Sequence, residues 1–532
     1  MSDTKNPTKT PEQYQASLRL PYLPSSYQCA IFDWVTHGRG NAVVEAVAGS
    51  GKSTTVELTC RLLTSTALVV AFNKSVEREM SKRLQGTRGI CKTVHGTGFA
   101  AVRFNVEGKV DVDKYKYWTL MDDWSAKLAS GTTPFGELTP EEQDALLQTG
   151  RRNKLELPCP IIMRVFDLAR LNLVDFDGDG YPECLWDLVN HHNLDVPAGL
   201  DRIIRIACAE LARIGRDLPN LVDFTDMVWL PVVNGYRPKT YSWVFVDECQ
   251  DISAAHLALL RKCVKRGGRM LFVGDRRQAI YGFAGADARS FENIIEQAKA
   301  TLLPLSVCYR CPTKVLDLAR EHCPQIEARP DAPEGTVRHL DYDNLVGSVR
   351  EGDMILCRRN APLVSVCFAL IADGIAAQIK GRDIGVGIQK AIEKIGKGGR
   401  FEDFPRLLGE WLSKEHATIT RRGGRDSVIA SRLQGLEDKA ECIRIIYARS
   451  TATTIKGLKD DVAALFSDDR PGVQLSSIHR AKGLENERVM VLGDTELSFP
   501  GMQPWQREQE RNLSYVAYTR AQEELVFVNL PE

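Results

Sequence analysis

A glycine-rich turn, placed between a short apolar run and a helical pattern, constrains the fold of this chain more than any other feature. The sequence AVAGSGKSTT occupies 46–55, after the apolar run 41–47 and before VELTCRLL at 56–63. Glycines let the backbone curl around an anion, a lysine supplies positive charge, and the start of a helix presents N–H donors. The pattern predicts a phosphate-binding loop, with alanine at position 46 where the general motif has glycine. The loop residues expected to contact a nucleotide are Ala48, Gly49, Ser50, Gly51, Lys52, Ser53 and Thr54.

Two acidic residues follow a second apolar run and supply the other half of a nucleotide site. The run 243–246 ends at Asp247 and Glu248. Open α/β sheets bind ligands at the carboxyl ends of their strands, which is where these carboxylates fall. We expect Asp247 and the hydroxyl of Ser53 to hold Mg²⁺, and Glu248 to position or deprotonate the attacking water.

Short apolar runs recur along the chain and predict its architecture. Runs rich in Val, Leu or Phe, each near a helix-like segment or a turn, are typical of parallel strands buried on both faces. The predicted fold class is therefore α/β with more than one sheet. The stretches 101–230 and 380–467 interrupt this series of apolar runs, and we expect each to be an inserted, mainly helical subdomain. The apolar runs are 41–47, 67–72, 243–248, 270–275, 353–357, 488–494 and 524–530.

Charge and hydropathy limit the class of protein. Lys plus Arg and Asp plus Glu number 69 each, so the zero net charge excludes a globally basic protein but permits a local basic groove. No apolar run reaches the roughly 18 residues that span a bilayer. The polar start MSDTKNPTKTPEQ lacks the apolar stretch of a signal peptide. The 14 cysteines have no disulfide-like spacing, so we expect reduced thiols in a soluble, cytoplasmic chain without a membrane partner.

A series of motif blocks resembles that of superfamily 1 helicases of the UvrD/Rep type, and most of all their compact, phage-type or F-box-helicase-like members. The resemblance runs in order from about residue 24 to 530 and is interrupted by the two inserted stretches. Besides the phosphate loop, the blocks are SYQCAIFDW (26–34), LVVAFNKSVEREM (68–80), CKTVHGTGF (91–99), DECQD (247–251), VGDRRQAIYGFAGA (273–286), LSVCYRCPTKV (305–315), VQLSSIHRAKGLENERVMVLG (473–493) and ERNLSYVAYTRAQEEL (510–525).

The resemblance implies two RecA-like parallel-sheet domains that form an ATP cleft, with ATP and Mg²⁺ as cofactors. Charge at the transition state would be complete only when groups from both domains meet, and hydrolysis would drive stepping along single-stranded DNA in the 3′–5′ direction. The implied boundaries are a disordered lead-in at 1–20, a first RecA-like domain at 21–100 and 231–290 with its insert at 101–230, and a second at 291–379 and 468–532 with its insert at 380–467.

The resemblance also assigns roles around the nucleotide. Gln28 would read the adenine edge, Tyr309 would stack on adenine, and Glu485 would bind ribose. Gln278 would sense the γ-phosphate and connect it to the DNA site. Arg310 and Arg520 would be arginine fingers, because a guanidinium is always charged and donates in a planar fork to phosphate oxygens.

Aromatic and small polar residues are implied as contacts to DNA. Stacking suits a motor that ignores sequence, because every base has a π-face. Phe283 replaces a common tryptophan and Ala284 a common arginine, so we expect stacking to be kept and one charged contact to be lost. A buried cluster at a strand end is the alternative for Tyr281 and Phe283. The implied DNA contacts are Phe72, Thr93, His95, Tyr281, Phe283, Ser477 and His479.

Partners and alternative functions follow from the same motifs. Single-stranded DNA and single-strand/duplex junctions are the expected partners, with recombinase or single-strand-binding proteins as further ones. The chain would be nucleoid-associated, or act in a host cytoplasm if it is phage-encoded. The alternatives are a translocase that mainly strips proteins from single strands, because the insert at 380–467 is small, and a nucleotide-gated DNA-binding module that does not translocate. RNA is a weaker alternative to DNA as the polymer along which the chain would move.

Four weaker patterns are assigned no function. VDFDGDGYPECLW at 174–186 resembles a calcium loop, but Trp186 stands where the bidentate glutamate belongs. Cys308 and Cys311 lack a second CxxC and flank residues assigned to the nucleotide. The His191–His192 pair is typical of a solvated turn. The basic glycine-rich segments at 396–400 and 421–425 are either solvated loops or contacts to duplex DNA.

Overall fold

Two six-stranded parallel sheets organise the fold, one in residues 1–307 (unit 1) and one in residues 308–532 (unit 2). The structure is a computed structural model and describes residues 9–149, 154–192, 194–282, 290–422, 426–466, 472–498, 500 and 502–531. Helices connect and flank the strands of both sheets. The predicted α/β class with two parallel-sheet domains is confirmed.

The strands of unit 1 form one large sheet and one small pair. They are β1 (Ala42–Ala46), β2 (Ala67–Ala71), β3 (Gly89–Thr93), β4 (Asp111–Val112), β5 (Leu221–Val222), β6 (Tyr241–Val246), β7 (Val264–Gly274) and β8 (Thr301–Leu305). The large sheet has the order β3-β2-β6-β7-β1-β8, and all its pairs are parallel. All five residues of β2 are buried, as expected of a strand covered on both faces.

Thirteen helices of unit 1 lie in the described residues. They are α1 (Pro11–Leu18), α2 (Ser26–His37), α3 (Lys52–Leu62), α4 (Lys74–Arg83), α5 (Val94–Asn105), α6 (Lys116–Lys127), α7 (Pro140–Thr149), α8 (Cys159–Leu171), α9 (Tyr181–His191), α10 (Asp201–Asp217), α11 (Phe224–Val233), α12 (Ala254–Lys262) and α13 (Ser290–Ala298). Parallel strands need such crossovers, which bring the chain back to the same end of the sheet.

The N-terminal segment is helical from residue 11, so the prediction of a disordered lead-in over 1–20 is wrong for α1. Thr10 and Gln13 form a capping box, in which each side chain accepts from the other residue's backbone N–H. Tyr14 is buried, and its ring lies edge-on to Phe32 of α2 at 5.3 Å. Burial of this ring fixes a segment whose polar composition gave no sign of packing.

A buried ion cluster joins the helices α6 and α8 to the start of α11. Arg170 donates to the carboxylates of Asp223 and Asp226, at 3.0 and 2.6 Å from its Nη1. Asp226 also accepts from Lys116 at 2.9 Å and from the hydroxyl of Tyr117 at 2.7 Å. Arg170 and Asp226 are fully buried, so the opposite charges replace the water that each would otherwise need.

The strands of unit 2 form the second large sheet. They are β9 (Val307–Cys308, which begins at the last residue of unit 1), β10 (Glu327–Ala328), β11 (Thr336–Asp341), β12 (Met354–Cys357), β13 (Ala377–Ile379), β14 (Val473–Ser477), β15 (Asn486–Leu492) and β16 (Ala521–Asn529). The large sheet has the order β11-β16-β15-β12-β14-β13 and is parallel throughout, and β9 pairs with β10.

Helices cover this sheet and fill the stretch between β13 and β14. They are α14 (Thr313–Ala319), α15 (Leu345–Ser348), α16 (Asn360–Ala372), α17 (Arg382–Gly396), α18 (Phe404–Arg422), α19 (Asp426–Arg449), α20 (Ile455–Leu465) and α21 (Pro504–Tyr518). Buried residues of α17, α19 and α20 share one apolar core with α16 and the sheet. Within the described ranges, none of the helices has the length and apolar character needed to cross a membrane.

Candidate functional site

The glycine-rich loop lies between the end of β1 and the start of α3. Gly49 and Gly51 have φ angles of 66° and 77°, left-handed values that glycine adopts at low cost. Lys52 is the first residue of α3, so the loop and the helix N-terminus face the same place. The hydroxyl of Ser50 is buried and has no hydrogen-bond partner among the described residues. A buried hydroxyl without a partner fits a loop that closes on an anion.

Lys52 lies against the acidic pair that follows β6. Its Nζ is 3.1 Å from Oε1 and 3.3 Å from Oε2 of Glu248. Burial disfavours the ammonium, but the carboxylates of Glu248, Asp275 and Asp247 outweigh burial and raise the pKa of Lys52. Glu248 has a φ of 51°, rare for a residue with a side chain, and its N–H donates to Asp247 at 3.0 Å. The structure thus brings Lys52 and the acidic pair together, and their roles at a nucleotide stay predictions.

A carboxylate that the sequence analysis missed connects Lys52 with Gln278. Asp275 follows β7, is 1% exposed, and accepts from Nε2 of Gln278 at 2.7 Å. Its own N–H donates to Oε1 of Gln250 at 3.1 Å, and Gln250 in turn donates to Glu248. Burial raises the pKa of Asp275, and the charge of Lys52 opposes that rise. A signal was present, because the apolar run 270–275 ends at this residue just as 243–248 ends at its acidic pair.

Gln28 lies beside the loop, but its amide already has partners. Its Oε1 accepts from the N–H of Ser25 at 3.1 Å and caps α2, while its Nε2 donates to the hydroxyl of Thr55 at 3.2 Å. Thr55 in turn donates to the carbonyl of Gly51 at 2.9 Å. Gln28 therefore braces the loop, and adenine recognition by this residue stays a prediction.

Two aromatic side chains form a stacked pair in unit 1. The rings of Phe72 and Tyr281 are 5.9 Å apart and inclined by 11°, and Phe72 is 46% exposed. A half-exposed aromatic face is the kind of surface on which a base stacks. Phe283 and Ala284 lie outside the described residues, so the structure says nothing of their predicted roles.

The other predicted DNA contacts of unit 1 lie at the start of α5. Thr93 caps this helix by accepting from the N–H of Gly96 at 3.0 Å. His95 lies edge-on to Phe224 at 6.3 Å and to His256 at 5.8 Å, and burial lowers its pKa. His95 is therefore neutral at pH 7, and its predicted contact to DNA would be made as a hydrogen-bonding group rather than as a cation.

The predicted residues of unit 2 cluster around the C-terminal end of α21. Nε of Arg310 is 2.5 Å from Glu485, and its Nη1 donates to the carbonyl of Thr519 at 3.1 Å. Arg520 is 1% exposed and donates to the carbonyls of Val516 and Leu484 at 2.8 and 2.9 Å. The structure therefore brings Arg310, Glu485 and Arg520 together, and it gives both guanidinium groups partners within their own unit. Tyr309, between Cys308 and Arg310, is half-buried.

Ser477 is the last residue of β14, and His479 lies two residues after it. The carbonyl of Ser477 accepts from the N–H groups of Arg480 and Ala481 at 3.0 and 3.1 Å, which turns the chain after the strand. Burial lowers the pKa of His479 to about 4, and the nearby charge of Arg358 adds to this effect. A contact from His479 to DNA would therefore also be made by a neutral ring at pH 7, and both contacts stay predictions.

The calcium-like loop has structural partners, whereas residues 423–425 of the second basic glycine-rich segment lie outside the described residues. Asp177 of the calcium-like loop forms two hydrogen bonds with the guanidinium of Arg216, and the helix α9 begins at Tyr181. In the part of the chain that the structure describes, no group of three or more His, Cys, Asp or Glu side chains is arranged to hold a metal ion.

Comparisons with known proteins agree with this arrangement. A family model described as an AAA domain matches residues 33–284, and one described as a UvrD-like helicase C-terminal domain matches residues 440–530. The ATP-dependent DNA helicase UvrD2 of Mycobacterium bovis is 23% identical, over 91% of this chain and 75% of its own length. F-box DNA helicase protein 1 of Schizosaccharomyces pombe is 21% identical, over 91% and 55%. The ATP-dependent DNA helicase PcrA of Bacillus subtilis is 22% identical, over 58% of each chain.

A solved structure is also similar in part. The crystal structure of Arterivirus nonstructural protein 10 (helicase) aligns with 92% of this chain and 59% of its own, at 13% identity and a TM-score of 0.32, a likeness too low to support an argument. The two family models match in order along the chain, and the first contains the phosphate loop and the residues around Lys52. With the relatives of the same type, they support the identification of this chain as a superfamily 1 helicase of the UvrD/Rep type.

Proposed function

We propose that this chain hydrolyses Mg-ATP and uses the energy to step along single-stranded DNA in the 3′–5′ direction, opening duplex at single-strand/duplex junctions. The coarse part of the proposal, an ATP-dependent DNA helicase, rests on the family and on the named relatives. The direction, the stepping and the junction preference are inferred from the resemblance of the motif blocks. The subdivision into RecA-like domains and inserts at the predicted boundaries belongs to the same proposal.

One observation carries the proposal most directly, namely the hydrogen-bonded chain that starts at the phosphate loop. Lys52 contacts Glu248 and lies in the field of Asp275, and Asp275 accepts from Gln278. A phosphate placed in the loop would compete with Glu248 for Lys52, because both are anions. Glu248 would then orient a water molecule for attack. The same event would change the surroundings of Asp275 and hence of Gln278.

The donor set beside the loop fits Mg²⁺. Asp247 offers a carboxylate and Ser53 a hydroxyl, and oxygen atoms of this kind are the ligands that Mg²⁺ prefers. When bound, the ion would neutralise charge on the outer phosphates. Tyr309, Arg310, Glu485 and Arg520 are proposed to contact the same nucleotide, in the roles that the resemblance implies.

The proposal that the polymer is single-stranded DNA is inferred from the stacked pair of unit 1. Phe72 follows β2, and Tyr281 lies three residues after Gln278, so one ring of the pair is close in sequence to the proposed nucleotide-sensing residue. Stacking on a half-exposed ring binds bases without reading their identity. Single-stranded DNA is therefore the polymer that we expect to stimulate ATP hydrolysis.

The first test is steady-state ATP hydrolysis without nucleic acid and with single-stranded DNA, duplex DNA or RNA. We expect strong stimulation by single-stranded DNA. Lys52→Ala should abolish hydrolysis, because it removes the cation of the loop, and should leave binding of single-stranded DNA unchanged. Lys127→Ala is the matched control, since Lys127 pairs with Asp123 on an exposed helix face far from the loop in sequence.

Two results would contradict the proposal. Turnover retained in Lys52→Ala would show that the loop is not the hydrolytic site. Equal turnover with and without nucleic acid in the unmodified chain would favour the nucleotide-gated binding module over the motor.

A further inference from the structure

Cys308 and Cys311 form a pair of buried thiols around the turn that carries Arg310. Cys308 ends β9, and Cys311 lies just before α14. The N–H of Cys311 donates to Sγ of Cys308 at 3.4 Å, and Sγ of Cys311 is 3.6 Å from the carbonyl oxygen of Thr519. The two thiols therefore lie on one short turn, with the backbone N–H of Cys311 directed at the Cys308 sulfur.

The surroundings of the two thiols are unequal. The thiol of Cys311 and the N–H groups of Cys311 and Arg310 lower the pKa of Cys308 to about 7, although burial opposes this change. Burial instead raises the pKa of Cys60 and of Cys367 to about 12, so burial alone does not explain Cys308. A thiolate stabilised by N–H donors is the reactive form of cysteine, and a neighbouring thiol can resolve its oxidation product.

We propose that Cys308 and Cys311 form a reversible disulfide when the chain meets a peroxide. The Cys308 thiolate attacks the peroxide oxygen, the O–O bond breaks, and after uptake of one proton the products are Cys308 sulfenic acid and water. The Cys311 thiol then attacks the sulfenic sulfur, and its proton leaves with the hydroxyl as a second water. The two thiols lose two electrons together and the peroxide gains them.

Disulfide formation would affect Arg310, because Arg310 and Cys311 both contact the same acceptor. The carbonyl of Thr519 accepts from Nη1 of Arg310 at 3.1 Å and lies 3.6 Å from Sγ of Cys311. Closing the sulfur atoms to bonding distance removes the thiol hydrogen and tightens the turn that places Arg310. This consequence rests on the proposed function, in which Arg310 contacts the nucleotide.

The test treats the whole chain with increasing hydrogen peroxide, blocks the remaining thiols by alkylation, and maps the products by mass spectrometry. We expect a linked peptide with Cys308 and Cys311 joined and two hydrogen atoms lost. Its rate of formation should rise as the pH passes from below to above about 7, where Cys308 loses its proton. Turnover of ATP should fall by about a hundredfold, the loss expected for a misplaced catalytic group, and dithiothreitol should restore it.

Two variants serve as controls. Cys311→Ser should give Cys308 sulfenic acid without a disulfide, because the resolving thiol is missing. Cys184→Ser removes an exposed cysteine and should leave both the disulfide and the loss of turnover unchanged.

The outcomes separate the disulfide from the proposed function. Free Cys308 and Cys311 at peroxide concentrations that already oxidise Cys184 would overturn the proposal. A disulfide that leaves turnover unchanged would overturn its link to Arg310. If the reduced chain shows no turnover stimulated by single-stranded DNA, the proposed function fails, and the mass measurement still decides whether the disulfide forms.

Discussion

At the scale of single residues, three carboxylates surround one ammonium beside the phosphate loop. Lys52 contacts Glu248 and also lies in the field of Asp247 and Asp275. This excess of negative charge suits a site that gains positive charge from Mg²⁺ together with its nucleotide. The loop, Lys52 and the acidic pair follow from local patterns in the sequence. Asp275 was not singled out, although the apolar run 270–275 ends there, because its contact with Gln250 joins two segments that are distant in sequence.

Asp275→Asn should lower ATP turnover by about tenfold or more, since Lys52 and Gln278 lose the carboxylate that helps to hold them in position. The asparagine has nearly the same shape, so the chain should stay folded and keep its affinity for single-stranded DNA. Steady-state hydrolysis and thermal melting measured on the same sample check both expectations. Unchanged turnover would mean that Asp275 only caps the turn after β7.

At the scale of secondary structure, the strands that the sequence predicted are those in the interior of the two sheets. Seven of the eight interior strands coincide with apolar runs, and the eighth, β14, was missed because its sequence VQLSS is polar in three of five positions. The edge strands β3, β8 and β11 were missed because one face of each is exposed, so they carry no continuous apolar run. The helix α1 was missed for a related reason, since only Tyr14 and Leu18 are buried.

Arg170→Ala should destabilise unit 1 by about 3–5 kcal/mol, the usual cost of leaving a buried carboxylate without its partner. Arg170 is the residue that joins α8 to both Asp223 and Asp226 at the start of α11. Arg216→Ala is the matched control, because it breaks the pair with the exposed Asp177 and should cost about 0–1 kcal/mol. Urea unfolding followed by circular dichroism measures both free energies. Equal losses in the two variants would show that the buried ion cluster contributes little.

At the scale of the whole molecule, the zero net charge means that binding to a polyanion must rest on local surfaces. The motif order identified the family from the sequence, because each block carries a short local pattern. The packing of Arg520 inside unit 2 was not predictable, because its acceptors, the carbonyls of Val516 and Leu484, are backbone groups that any sequence possesses. The proposed movement along single-stranded DNA would depend on contacts between the nucleotide site and the stacked pair, and the hydrogen bond from Gln278 to Asp275 is the one that we single out.

Gln278→Ala should keep ATP hydrolysis and lose movement. Gln278 donates to Asp275 on the nucleotide side, and Tyr281 of the stacked pair lies three residues further along the chain. Without the amide, a change at Lys52 and Asp275 has no hydrogen bond through which to shift the segment that carries Tyr281. The measurement is the amount of ATP consumed per base pair unwound and per protein displaced from single-stranded DNA, with Gln148→Ala as an exposed control on α7. Normal unwinding per ATP in Gln278→Ala would contradict the connecting role, whereas normal displacement with poor unwinding in the unmodified chain would favour the translocase that strips proteins.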